Sequence, residues 1–129
     1  VEGNIQFLGR LQYNQLPEHI QLADLFAMPS RSRFFGLEVE GLGIVYLEAS
    51  ACGIPVMAGA SGGAPDAVID GVTGICVDGT DVKAIAAGAI EILGDLPKAK
   101  AMGRAGRDWA VKEWNWKIWG ERFKELLES

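Results

Sequence analysis

Apolar positions along this chain fall into short dense runs, separated by longer segments in which they return every three or four residues. The dense runs are Asn4–Gly9, Asp24–Pro29, Pro55–Ala58 and Gly74–Val77. They are too short for helices and carry Ile, Val, Phe and Leu, so they read as strands. Helical spacing fills the intervals. Pro17–Leu25 is a predicted helix, with Pro17 in its first turn and Leu16, Ile20 and Ala23 on one face. Glu40–Cys52 reads as a turn plus helix stopped by Gly53. The glycine-rich turn Ala60–Pro65 leads into a short helix over Pro65–Ile69, and Asp70-Gly71 turns the chain. Asp81 is placed to cap a helix over Val82–Leu93. Two more helices are predicted over Pro97–Trp114 and Asn115–Leu127, and Ser30–Val39 is left as a loop.

Strands thus alternate with helices, and the strands are continuous apolar runs. That pattern belongs to an α/β fold whose parallel sheet is covered on both faces. Glycines gather where strands hand over to helices, which is where open α/β sheets bind their ligands. No internal repeat or low-complexity segment interrupts the 129 residues, which suffice for one domain with a real core.

Composition acts mainly by exclusion. A net charge of −5 argues against a nucleic-acid partner and leaves no polybasic membrane patch. No apolar run reaches the length of a membrane span. No signal peptide is visible, and Val1 is expected to be a trimmed start. Cys52 and Cys76 stand in no metal or redox spacing and read as reduced, packed thiols of a cytoplasmic protein. His19 is a lone histidine with nothing nearby to make it a base or ligand. Arg31, Arg33 and Glu38 read as solvated loop charges. Trp109, Trp114, Trp116 and Trp119 lie at helical spacing, where packing is the commoner role.

The chemistry concentrates in Glu40-Gly-Leu-Gly-Ile-Val-Tyr-Leu-Glu48. Eight residues separate the carboxylates, a little over two helical turns. With a helix beginning near Gly41, the free N–H groups of Leu42, Gly43 and Ile44 would form an anion site at its mouth. One carboxylate would stand before that site and the other beyond it. A nucleotide-sugar needs such partners for its hydroxyls, its diphosphate and its ribose. Ser61-Gly62-Gly63 is open to two readings, a phosphate cradle and a tight turn.

Residues 36 to 77 also carry a resemblance. The Glu40–Glu48 stretch with its following Gly-Ile-Pro, then Ser61-Gly-Gly-Ala-Pro65 and Gly71-Val-Thr-Gly-Ile-Cys-Val77, resembles the C-terminal donor-binding domain of a retaining GT-B glycosyltransferase of family 4 (group 1). The wording is most similar to mannosyltransferases that act on phosphatidylinositol mannosides and use GDP-mannose. The resemblance implies that Glu40 faces the donor sugar as the catalytic carboxylate. It implies that Glu48 binds the ribose hydroxyls, and that Gly41, Leu42, Gly43 and Ile44 approach sugar and diphosphate. Gly9-Arg10-Leu11 would form the turn beside the base, placing Arg10 at the donor. No metal and no cofactor beyond the nucleotide-sugar is implied, and the acceptor of such an enzyme is lipid-linked or otherwise glycosidic, at the membrane surface. Asp66 departs from the glutamate usual after Gly-Gly-Ala-Pro. The Arg and Lys that the family sets against the diphosphate are absent from the chain.

A full domain of that kind has strand order 3-2-1-4-5-6. The chain is expected to lack strands 1 and 2 and the acceptor domain, and so to be a partial Rossmann-like domain without turnover. Ile5–Leu8 would be strand 3 and Leu25–Pro29 strand 4. Strand 4 would then show a bare inner edge, to be covered by strand 3 or by a second copy as a dimer or domain swap. The alternative class is a non-catalytic nucleotide-binding or interaction module of doubly wound type. Its receiver-like form lacks an aspartate after strand Asp24–Pro29. Its flavodoxin-like form lacks an early phosphate loop.

Overall fold

The computed structural model describes residues 2–128, so Val1, the expected trimmed start, and Ser129 lie outside the described residues. Three parallel strands form the sheet, β1 (Phe26–Met28), β2 (Val56–Gly59) and β3 (Gly74–Val77), in that spatial order. Phe26 is in register with Val56, and Val56 with Gly74. The helices are α1 (Leu16–Ile20), α2 (Ile44–Ala51), α3 (Val82–Leu93), α4 (Leu96–Glu113) and α5 (Trp116–Glu128). Single 3-10 turns occupy Glu2–Asn4, Tyr13–Gln15, Phe34–Gly36 and Ala64–Ala67.

All four residues of β2 are buried, as the apolar run predicts for a central parallel strand. Val56 and Ala58 pack on one face with Tyr46 and Ala49 of α2 and with Ala64, Ala67 and Val68. Alternate side chains feed the other face, where Ile75 joins Ile92 of α3 and Met102 of α4. Asp81 caps α3, its carboxylate accepting from Lys83 N–H at 2.8 Å and Ala84 N–H at 3.1 Å. Gly53 ends α2 with φ 81°: Gly53 N–H donates to Ser50 C=O and Ile54 N–H to Ala49 C=O, the paired bonds of a Schellman ending. Asn115 joins α4 to α5 by donating to Val111 C=O and accepting from Ile118 N–H, both at 3.1 Å.

Several expectations are corrected. Asn4–Gly9 is not a strand. Ile5, Phe7 and Leu8 are exposed, Phe7 at 93%, and no neighbour among the described residues supplies a ladder. An extended apolar run becomes a strand only when a second strand accepts its hydrogen bonds. For the same reason Ile5–Leu8 does not move across to β1, which pairs with β2 alone. The helix predicted over Pro17–Leu25 is one short piece, Leu16–Ile20, after which Gln21 and Leu22 turn the chain into β1. The helix predicted over Pro65–Ile69 is the 3-10 turn Ala64–Ala67, because Val68 is extended.

Candidate functional site

β1 ends at Met28, and the chain leaves it through Pro29 and Ser30. Tyr46, fully buried in α2, donates its phenol proton to Met28 C=O at 2.7 Å, and Ser30 Oγ lies 3.1 Å from the phenol oxygen of Tyr46. This ties the N-terminal half of α2 to the carboxyl end of β1. From Ser30 the chain runs out into a small hairpin closed by Arg33 and Glu38. Their backbones exchange two hydrogen bonds and their side chains form an exposed ion pair at 3.6 Å. The two solvated loop charges are therefore also partners.

Beyond the hairpin lies Glu40, and its backbone is held from both sides. Its N–H donates to Ser61 Oγ at 3.3 Å, and its C=O accepts from Gly63 N–H at 3.0 Å. Cβ atoms at Gly62 and Gly63 would collide with the carbonyl oxygens of Glu40 and Gly41. The Ser61-Gly62-Gly63 segment is thus a tight turn on which the Glu40 loop rests, and of its two readings the structure builds this one.

α2 starts at Ile44, three residues later than expected, with Gly43 as its N-cap at φ 72° and ψ 58°. Tyr46 N–H returns to Gly43 C=O at 2.9 Å, so the free first-turn donors belong to Ile44 and Val45 rather than to Leu42. A side chain at Gly43 would strike the Tyr46 ring, and its left-handed backbone favours glycine independently. Glu48 sits one turn on, half-buried. Among the described residues, neither Glu40 nor Glu48 has its carboxylate engaged by a hydrogen bond or ion pair.

Leu42, Ile44 and Glu48 share the wall of a groove of about 850 Å³. Val111 of α4, Trp114, Trp119 of α5 and Asp66 line it as well. Glu48 further lines a smaller cavity of about 320 Å³ with Tyr13, Cys52 and Arg107. Arg107, missed in the sequence, donates to Ala51 C=O and so caps α2 from α4. Arg10 is exposed in the irregular stretch before Tyr13 and lines neither space; Glu40, Gly41 and Gly43 line neither space either, but adjoin Leu42 and Ile44 in the chain. Tyr46 and Ser61 were also missed as organisers of the site. Their only sequence signal was a polar group inside an apolar or glycine-rich run.

The tryptophans mostly pack. Trp114 meets Trp109 edge-on at 5.7 Å and stacks with Trp119 at 5.2 Å, while Trp119 Nε1–H donates to Glu113 C=O at 2.9 Å. Trp116 alone of the four is almost wholly exposed. Both cysteines are free thiols. Burial pushes the Cys52 thiol up against the opposing pull of Arg107, and burial with the nearby Asp70 carboxylate pushes up Cys76. No group of His, Cys, Asp and Glu among the described residues could hold a metal ion, and no helix is long and apolar enough to cross a membrane.

Residues 1–109 match the sequence profile described as glycosyl transferases group 1. The chain belongs to that family. It is 55% identical, over its whole length, to a GDP-mannose-dependent alpha-(1-6)-phosphatidylinositol monomannoside mannosyltransferase of Mycolicibacterium smegmatis. It is 52% identical to a GDP-mannose-dependent monoacylated alpha-(1-6)-phosphatidylinositol monomannoside mannosyltransferase of Corynebacterium glutamicum. The chain spans 34% of the length of each. Among solved structures, sucrose-phosphate synthase from Thermosynechococcus elongatus superposes with a TM-score of 0.84 at 30% identity, over 98% of this chain and 31% of that one. HepE from Anabaena, in complex with UDP and glucose, superposes with the same TM-score of 0.84 at 25% identity, over 98% of this chain and 32% of that one. This group 1 glycosyltransferase chain therefore has an α/β architecture shared with GT-B enzymes, built on the parallel sheet β1-β2-β3.

Proposed function

We propose that this chain supplies the donor side of a retaining mannosyltransferase that takes mannose from GDP-mannose. The observation that carries the reading is the groove wall shared by Leu42, Ile44 and Glu48, with the Glu40 loop resting on the Ser61–Gly63 turn beside the start of the same helix. A nucleoside diphosphate is a long ligand with a charged middle and hydroxyls on either side. The free N–H groups at the start of α2 suit its phosphates. Glu48 is assigned the ribose hydroxyls, which an acceptor-only carboxylate holds as a pair. Glu40 is assigned the sugar. Mannose and guanine rest on the two relatives named for GDP-mannose, and UDP in the Anabaena structure is the competing nucleotide.

The acceptor belongs to the same proposal: a lipid-linked glycoside at a membrane surface, in keeping with the names of those relatives. Self-association of two copies along the open edge of β1 belongs to it as well. A single monomeric species in sedimentation, at all concentrations, would remove that last element.

Calorimetric titration of the chain with GDP-mannose, GDP and UDP tests the donor site. GDP-mannose and GDP are expected to bind ahead of UDP, and Glu48→Ala is expected to weaken both by about tenfold or more, the scale of a charged hydrogen bond. Binding that ignores the Glu48 substitution would count against the assignment.

A further inference from the structure

We propose that Ser61 is a positioning residue that sets the placement of Glu40. The inference rests on the reading of Glu40 as the group facing the donor sugar. Ser61 is 1% exposed, and buried hydroxyls need partners. Three polar residues are buried among those described, Ser50, Ser61 and Thr73. Thr73 spends its hydroxyl locally on Ile69, and Ser50 finds no partner. Ser61 reaches across 21 residues to Glu40 N–H and across 29 to Ser32 Oγ, 3.0 Å away.

Glu40 N–H and C=O are therefore both fixed by one turn, the first by a side chain and the second by the Gly63 backbone. Fixing both peptide groups fixes the direction of the Cα–Cβ bond and leaves the carboxylate free to meet a ligand. Removing the Ser61 hydroxyl would keep the Gly63 bond, the close fit of Gly62 and the buried strand β2. The loop would then swing about its surviving bond without the domain unfolding. A shift of about 1 Å in a reacting group is enough to slow turnover by orders of magnitude.

Amide hydrogen exchange on this chain reads the backbone directly. In Ser61→Ala the Glu40 amide is expected to exchange about tenfold faster, while the amides of Val56, Met57 and Ala58 keep their protection. Ser61→Cys, which keeps a weak acceptor in nearly the same volume, is expected to fall between. Turnover is read in a hybrid in which this chain replaces the matching third of the Mycolicibacterium smegmatis relative. There Ser61→Ala is expected to lower kcat about tenfold at unchanged KM for GDP-mannose. An unchanged Glu40 amide in Ser61→Ala overturns the proposal. So does a kcat within about twofold of the parent while Glu40→Ala abolishes transfer. If Glu40→Ala itself leaves transfer intact, the donor-site reading of Glu40 falls first, and the proposal falls with it.

Discussion

The phenol of Tyr46 donates to the carbonyl of Met28, 2.7 Å away, and so joins the helix that carries Glu48 to the end of an edge strand. Tyr46 is wholly buried, and its ring also meets Phe26 edge-on at 6.3 Å. Tyr46→Phe keeps the ring and leaves Met28 C=O without its phenol donor. We expect a loss of about 1–2 kcal/mol in urea unfolding, with the midpoint moving and the slope unchanged. A loss below the error of the measurement would mean that Ser30 N–H, which donates to the same carbonyl at 2.7 Å, satisfies it without the phenol.

Gly63 and Gly41 make a matched pair. A Cβ on Gly63 would strike Gly41 C=O, whereas Gly41 has open space around it. Neither residue has the positive φ that would confound the comparison. Gly63→Ala is expected to cost about 1–3 kcal/mol and to displace the Glu40 loop. Gly41→Ala is expected to leave stability within about 0.5 kcal/mol of the parent. Thermal unfolding of the two variants side by side checks both.

Phe35 sits at φ 56° and ψ 33° at the tip of the Arg33–Glu38 hairpin, its side chain in solvent. A left-handed backbone strains any residue with a Cβ, by about 1–2 kcal/mol. Phe35→Gly removes that strain and loses little contact, against the added freedom of glycine in the unfolded chain. We expect a net gain of about 0.5–1 kcal/mol. A loss of stability would mean that the ring makes contacts in solution that hold the hairpin.

Cys52 and Cys76 both have thiols held above the ordinary range, by burial first in each case. The folded state therefore disfavours the thiolate. This contribution to stability is full below the ordinary thiol pKa and is lost as pH rises through the raised one. Alkylation by iodoacetamide near pH 8 is expected to be several-fold slower in the native chain than in urea. Equal rates would show that both thiols open freely to solvent.

Much of this fold is legible in the sequence wherever the deciding interactions are local. β3 and α3 occupy the predicted residues, because an apolar run ends at a turn and Asp81 marks a helix start. Gly53 stops α2 for an equally local reason. The errors fall where a partner decides. Ile5–Leu8 has strand composition and no neighbour among the described residues. Gly41 looks like the first residue of a helix, but the left-handed turn at Gly43 delays it to Ile44. At the candidate site, the motif draws attention to Glu40 and Glu48, while the hydroxyl beneath Glu40 comes from a residue 21 positions away. No pattern of period two or 3.6 reports a pairing of that kind.

The shelf under Glu40 consists of one hydroxyl, one backbone N–H and two glycines without side chains. None of these contacts depends on which side chains the loop above displays at Glu40, Gly41 or Leu42. Mutation at Gly41 or Leu42 can therefore change what the loop displays while the platform beneath it persists. Side chains on such a surface are free to drift over evolutionary time without the domain having to refold around each change.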